Sequence, residues 1–154
     1  MNRIIAASRI GALLFVTLMI ASCGESIVGP ERDFADAQEK WRASKAADYD
    51  LVVSRICECL PGTMGPVEVI VRGGRVSSRR YLTSSAEVPD GFMDVFPDVE
   101  NLFFKIRSAL WAHVYKIEVE YDEELGYPTR IYVDPDKGVA DDEVQYAIGP
   151  LTVR

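Results

Sequence analysis

The stretch RICECL, residues 55–60, carries Cys57 and Cys59 with one residue between them. Thiols at that spacing suit three chemistries: soft-metal coordination, thiol–disulfide exchange, or a small structural bridge. A metal site needs further thiol or imidazole ligands. The chain has one histidine, His113, and its spacing from the cysteines matches no zinc knuckle. Redox exchange is usually run by C-x-x-C at a helix start, where the thiol pKa is lowered. Here the motif is C-x-C in a segment patterned as a strand. His113 has no recognisable serine or cysteine nucleophile beside it, so it reads as a helix-end histidine favoured by the dipole. Acid gathers at Asp134, Asp136, Asp141, Asp142 and Glu143. Oxygen clusters bind calcium when a loop curls around the ion, but DPDKG sets Gly138 four residues after Asp134, whereas the EF-hand loop needs five. A solvated acidic turn is the expected reading, with Asp142 or Glu143 available to Arg79, Arg80 or Arg130. The sequence calls for no cofactor, no metal and no catalytic residues.

The compartment decides among the cysteine chemistries, and the N-terminus supplies it. Arg3 and Arg9 precede the uncharged run IGALLFVTLMI, Ile10 to Ile20, and the small residues Ala21 and Ser22. That order is a secretory signal. The run is about half of the roughly 20 apolar residues that a membrane span needs. The ending IASC resembles the bacterial lipobox. The resemblance implies cleavage before Cys23, diacylglycerol on its thiol and a fatty acid, such as palmitate, on its new amine. Two or more chains give stable attachment where one does not. Gly24 at the second mature position, rather than Asp, favours the outer membrane in a Gram-negative cell.

Export places Cys57 and Cys59 in an oxidising compartment. With Cys23 spent on lipid, one thiol pair remains. Two residues of regular strand separate Cα atoms by about 6.6 Å, near the upper end of disulfide geometry. A bend would close that gap. The intramolecular Cys57–Cys59 bridge is therefore the leading expectation, with redox or metal use of the pair as the alternative.

Without residues 1–22 the chain has 132 residues, 15 Lys and Arg, 24 Asp and Glu, and a net charge of −9. Such a surface is repelled by nucleic acid and anionic headgroups. Residues 23–31 form the lipidated cysteine and a short tether, and residues 32–154 suit one domain.

The elements follow from periodicity. Asp33 is a candidate N-cap for a helix running to about Ala47, with Phe34, Ala37 and Trp41 on one face. YDLVVSRICEC alternates, with Arg55 the odd member of its apolar face; a bulge turning Arg55 outward is expected. VEVIV, the RGGR hairpin signal and VSSRRYL follow. A polar loop then runs to about Pro97. Val99, Leu102, Phe103, Ile106 and Leu110 mark a second amphipathic helix. YKIEVEYD points Tyr115, Ile117, Val119 and Tyr121 inward, TRIYVD points Ile131 and Val133 inward, and VQYAI does the same for Val144, Tyr146 and Ile148. The order is helix–strand–strand–strand, twice. Strict alternation is an antiparallel signature. The expected fold class is α+β, with an antiparallel sheet and the helices on one face.

RICEC after a Trp-containing helix, YDEELGYPTRIYVD and ADDEVQYAI resemble a family of bacterial secreted and lipid-anchored proteins, a domain of unknown function numbered six-one-seven-four. The resemblance covers about Trp41 to Ile148. Its marks are Tyr121, Asp122, Gly126, Tyr127, Pro128, Ile131 and Asp134, supported by the cysteine pair and by Asp141, Asp142 and Glu143. It implies a fold and a location, and no catalytic residues.

The expected protein is a lipid-anchored cell-envelope chain, attached to the membrane through Cys23. Its domain is a non-catalytic binding or structural module with an envelope protein as partner. A binding module should expose an apolar or aromatic patch, expected on the open sheet face near Val52, Ile70 and Tyr132.

Overall fold

In the computed structural model, which describes residues 29–154, the first helix begins where proline is best tolerated. Pro30 lies in the opening turn of α1 (Pro30–Ser44), where its missing N–H forfeits no hydrogen bond. Glu31 and Asp33 complement the positive end of the helix dipole. Gly29, not Asp33, holds the capping position, so the last two residues assigned to the tether are helical. Lys45 ends the helix in the left-handed region at φ 53°, short of Ala47. The signal segment, Cys23 and the tether through Val28 lie outside the described residues.

The second helix, α2 (Val99–Ala112), is capped by Asp98, whose carboxylate accepts from Asn101 N at 2.9 Å. Its stripe Val99, Leu102, Phe103 and Ile106 is buried. The strands are β1 (Tyr49–Ile56), β2 (Val67–Arg72), β3 (Arg75–Tyr81), β4 (Lys116–Tyr121), β5 (Pro128–Asp134), β6 (Val144–Ile148) and β7 (Thr152–Val153). They form one antiparallel sheet in the order β3-β2-β1-β6-β5-β4, with β7 taking over from β6 along β1. The fold is α+β with a single seven-stranded sheet. Gly73 and Gly74, both at positive φ, make the tight β2–β3 turn.

Alternation puts Leu51, Val53, Val67, Val69, Ile131 and Tyr146 into one buried cluster with Ala37 and Trp41 of α1 and the stripe of α2. Trp41 ties the helices together: its Nε1 donates to Glu100 Oε1 at 2.9 Å. Tyr49 meets the Trp41 ring edge-on at 5.3 Å, and its hydroxyl accepts from Val99 N at 3.3 Å. Burial pushes that phenol above its ordinary pKa.

Three expectations are corrected. Tyr115 is exposed, because β4 starts one residue later. The loop before Pro97 contains a 3-10 helix, Asp90–Val95, and delivers Phe96 wholly into the core. Arg55 is not turned outward by a bulge. The β1–β6 ladder is regular, pairing Val53 with Ile148 and Arg55 with Tyr146, so Arg55 keeps to the inner face. Its Nε is buried without a hydrogen-bond partner among the described residues.

Candidate functional site

β1 stops at Ile56 and the chain bends through Cys57 and Glu58. The bend brings the Cys57 and Cys59 Cα atoms to 5.3 Å, and a disulfide joins them. The following turn is pinned where the Tyr81 hydroxyl donates to Gly62 O. Because β6 starts alongside this end of β1, Cys57, Glu58, Tyr132, Asp141 and Glu143 border one open hollow of about 380 Å³. The cysteine pair and the acidic run, remote in sequence, thus meet at one end of the sheet.

The acidic turn is only partly solvated. Asp141 is exposed, but Asp134 is buried, and Oδ1 of both Asp134 and Asp142 lacks a hydrogen-bond partner among the described residues. Burial first, then the charges of Glu143, Asp142 and Asp136, push the Asp134 carboxyl above its ordinary pKa. Neither Asp142 nor Glu143 pairs with Arg79, Arg80 or Arg130, the alternative open to them; Arg130 lies 3.2 Å from Glu120 and 3.5 Å from Glu118 instead. Among the described residues, no group of three or more His, Cys, Asp or Glu is placed to hold a metal ion. His113 is the exposed, left-handed C-cap of α2.

The tyrosine–aspartate turn is built for packing. Asp122 Oδ1 accepts from Leu125 N at 2.7 Å and Glu124 N at 3.1 Å, and Asp122 O accepts from Gly126 N at 3.0 Å. Gly126 sits at φ +77° against α1; a Cβ there would run into Ala37 O and stand 2.8 Å from Lys40 Cβ. Tyr121 stacks on Phe103, and the Tyr127 hydroxyl accepts from Leu151 N at 3.3 Å. Pro128 opens β5, and Ile131 is in the core.

A third place lies between α2 and the inner face of β5 and β6. A groove of about 480 Å³ opens there, inside the usual range of about 300–1,000 Å³ for ligand pockets. Phe104, Lys105 and Ser108 border it on the helix, and Ile131, Val133 and Val144 on the sheet. Arg79 and Asp94 reach it beside Pro97 and Asn101. Arg79 Nε donates to Phe96 O at 2.7 Å. Burial lowers the pKa of this guanidinium, with Asp98 and Asp94 opposing. The Lys105 ammonium lies 5.6 Å from the Tyr146 ring centre. On α2, Phe104 at the groove's border is 56% exposed and Trp111, seven residues on, 77%, with the Arg107 guanidinium within 5.7 Å of both ring centres.

The model of a family of unknown function, DUF6174, matches residues 33–153. The chain belongs to this family. No curated protein and no solved structure matches it. In this DUF6174 domain the motif residues Tyr121 through Ile131 are accounted for by the fold, whereas Asp134 joins the acidic end of the sheet. The exposed aromatic patch is on α2, not on the open sheet face near Val52, Ile70 and Tyr132, which are all half-buried. A sequence signal for it existed. Phe104 and Trp111 are apolar, seven residues apart, and off the core stripe of their helix.

Proposed function

We infer that this DUF6174 chain is a lipid-anchored cell-envelope protein whose domain is a non-catalytic binding module. The anchor rests on the sequence: positive end, short apolar run and IASC. The binding role rests on one observation, the exposed rings of Phe104 and Trp111 with the Arg107 guanidinium beside both, Phe104 bordering an apolar groove. Contiguous exposed aromatics of this kind mark interaction sites. An envelope component is the fitting partner, in the outer membrane if the cell is Gram-negative; the net charge of −9 opposes nucleic acid. The acids bordering Cys57 oppose the thiolate that a redox reading of the pair needs. We also read the two helix–strand–strand–strand successions as equivalent units.

In cells fed a clickable fatty acid, wild type is expected to carry label and sediment with membranes, and Cys23→Ser to lose both. Unchanged retention and labelling in that variant overturn the anchor. A photo-crosslinker at Trp111 should capture an envelope component that one at Glu68 misses; equal capture removes the exposed rings as the binding face.

A further inference from the structure

We propose that the groove between α2 and the sheet holds a single-chain amphiphile, with its anionic head group at Arg79 and its alkyl chain along Ile131, Val133 and Val144. The inference rests on the reading of the domain as a binding module and adds the class of ligand. The groove follows α2 from Asn101 to Ser108, two helical turns and about 10 Å at 1.5 Å per residue. It is therefore long, and its polar and apolar lining residues separate along it. Arg79, bonded to Phe96 O just before α2, and Asn101 lie toward the start of the helix; Val133, paired with Ile117 of the strand that follows α2, and its ladder partner Val144 lie toward the helix's end.

The charge at the polar end fits an anion. Arg79 spends its Nε on Phe96 O and makes no ion pair among the described residues. Asp94 shares this end, but it is exposed, so water screens it. Lys105 is likewise without an ion pair, and Arg55, the ladder neighbour of Tyr146, keeps a buried Nε without a partner. Two cations, Arg79 and Lys105, thus line the groove, with Arg55 one strand away, in a chain of net acidic charge. A partly desolvated guanidinium over an apolar slot is stabilised by a charge-assisted contact with an oxyanion.

The walls argue for an alkyl chain over a peptide. β5 lies between β4 and β6, and β6 between β1 and β5. Their backbone groups are spent within the sheet, and those of α2 within the helix. A peptide bound in extended form would leave its own N–H and C=O groups without protein partners, and a helix, about 10 Å across, is wider than a slot sized for side chains. An alkyl chain has none to satisfy.

The test uses the full chain, purified from whole cells and exchanged into an amphipathic polymer. It is photolabelled with a diazirine-bearing dodecanoate, and the modified peptides are mapped by mass spectrometry. Label is expected on the segments carrying Phe104–Ala109 and Ile131–Val144. Unlabelled dodecanoate or dodecyl phosphate should compete, and dodecanol should compete at least tenfold less well; the ratio of the first two separates a carboxylate from a phosphate head. Arg79→Gln should weaken labelling at least tenfold. Ser108→Trp, which plugs the groove from an exposed helical position, should abolish it while leaving the circular dichroism spectrum intact. Label scattered over the surface, label concentrated at Ile56, Leu60 and Met64, equal competition by dodecanol, or labelling indifferent to Ser108→Trp overturns the proposal. Because this readout does not use membrane retention or capture at Trp111, its failure leaves the anchor and the exposed rings to their own tests.

Discussion

Two aspartates in this domain respond to acid in opposite senses. The Asp50 carboxylate lies between two guanidiniums, 2.7 Å from Arg72 and 2.6 Å from Arg154. The Arg72 guanidinium first, and Arg154 after it, hold its pKa below the ordinary value. Asp50 therefore stabilises the fold above the unfolded-state value of about 3.9 and loses that contribution as pH falls through the lower folded value. Asp134 is the reverse case. Its folded pKa is raised by burial and by Glu143, Asp142 and Asp136, so stability falls as pH climbs from the unfolded value through the raised one. Asp134→Asn is expected to raise the melting temperature at pH 7, with the gain shrinking toward pH 4. Asp50→Asn should lower it at pH 7, with the loss shrinking as pH drops below about 4. Melting curves of both variants across that range check the signs. Arg55 shows where sequence alone stopped at this scale. Alternation put it on the inner face, and the cost of burying a guanidinium argued it outward. The ladder stayed regular because its neighbours Val53 and Ile56 hold register with Ile148 and Gln145.

Among the elements, those with a repeating pattern could be read in advance. β1, β2 and β4 alternate, and α2 carries its stripe at 3.6-residue spacing, because one buried face imposes a period. The 3-10 helix Asp90–Val95, the two-residue β7 and the buried Phe96 have no period to betray them. The groove was hidden for a related reason. It is a gap between elements, and spacing along one element does not reveal how far two elements stand apart. The Tyr121–Pro128 turn was legible as a turn, but not as the seat of α1. Gly126→Ala adds both a side chain at φ +77° and a collision with Ala37 O. It is expected to destabilise by about 2 kcal/mol or more, measured as a lower denaturant midpoint. An unchanged midpoint would show that α1 can shift away at little cost.

At the scale of the whole molecule, the two meanders β3-β2-β1 and β6-β5-β4 each join neighbours in sequence, and one seam, β1 with β6, joins them to each other. That seam unites Val53 with Ile148, residues from opposite ends of the domain, so the ladder at the middle of the sheet has a far longer loop to close than any pairing within a meander. Local meanders zip early and long-range pairing comes late. Val53→Ala, which hollows the seam, is expected to cost about 2 kcal/mol or more, seen mainly as faster unfolding in stopped-flow traces if the seam closes last; slower folding with unchanged unfolding would place the seam in the folding nucleus. The order of closure has a social consequence. A chain with its seam open presents two bare strand edges, and each edge is a template for the opposite half of a second copy. Under the proposed anchor, copies would meet often on one membrane surface, and what would protect each copy from exchanging halves with its neighbour is how quickly its own two meanders find each other.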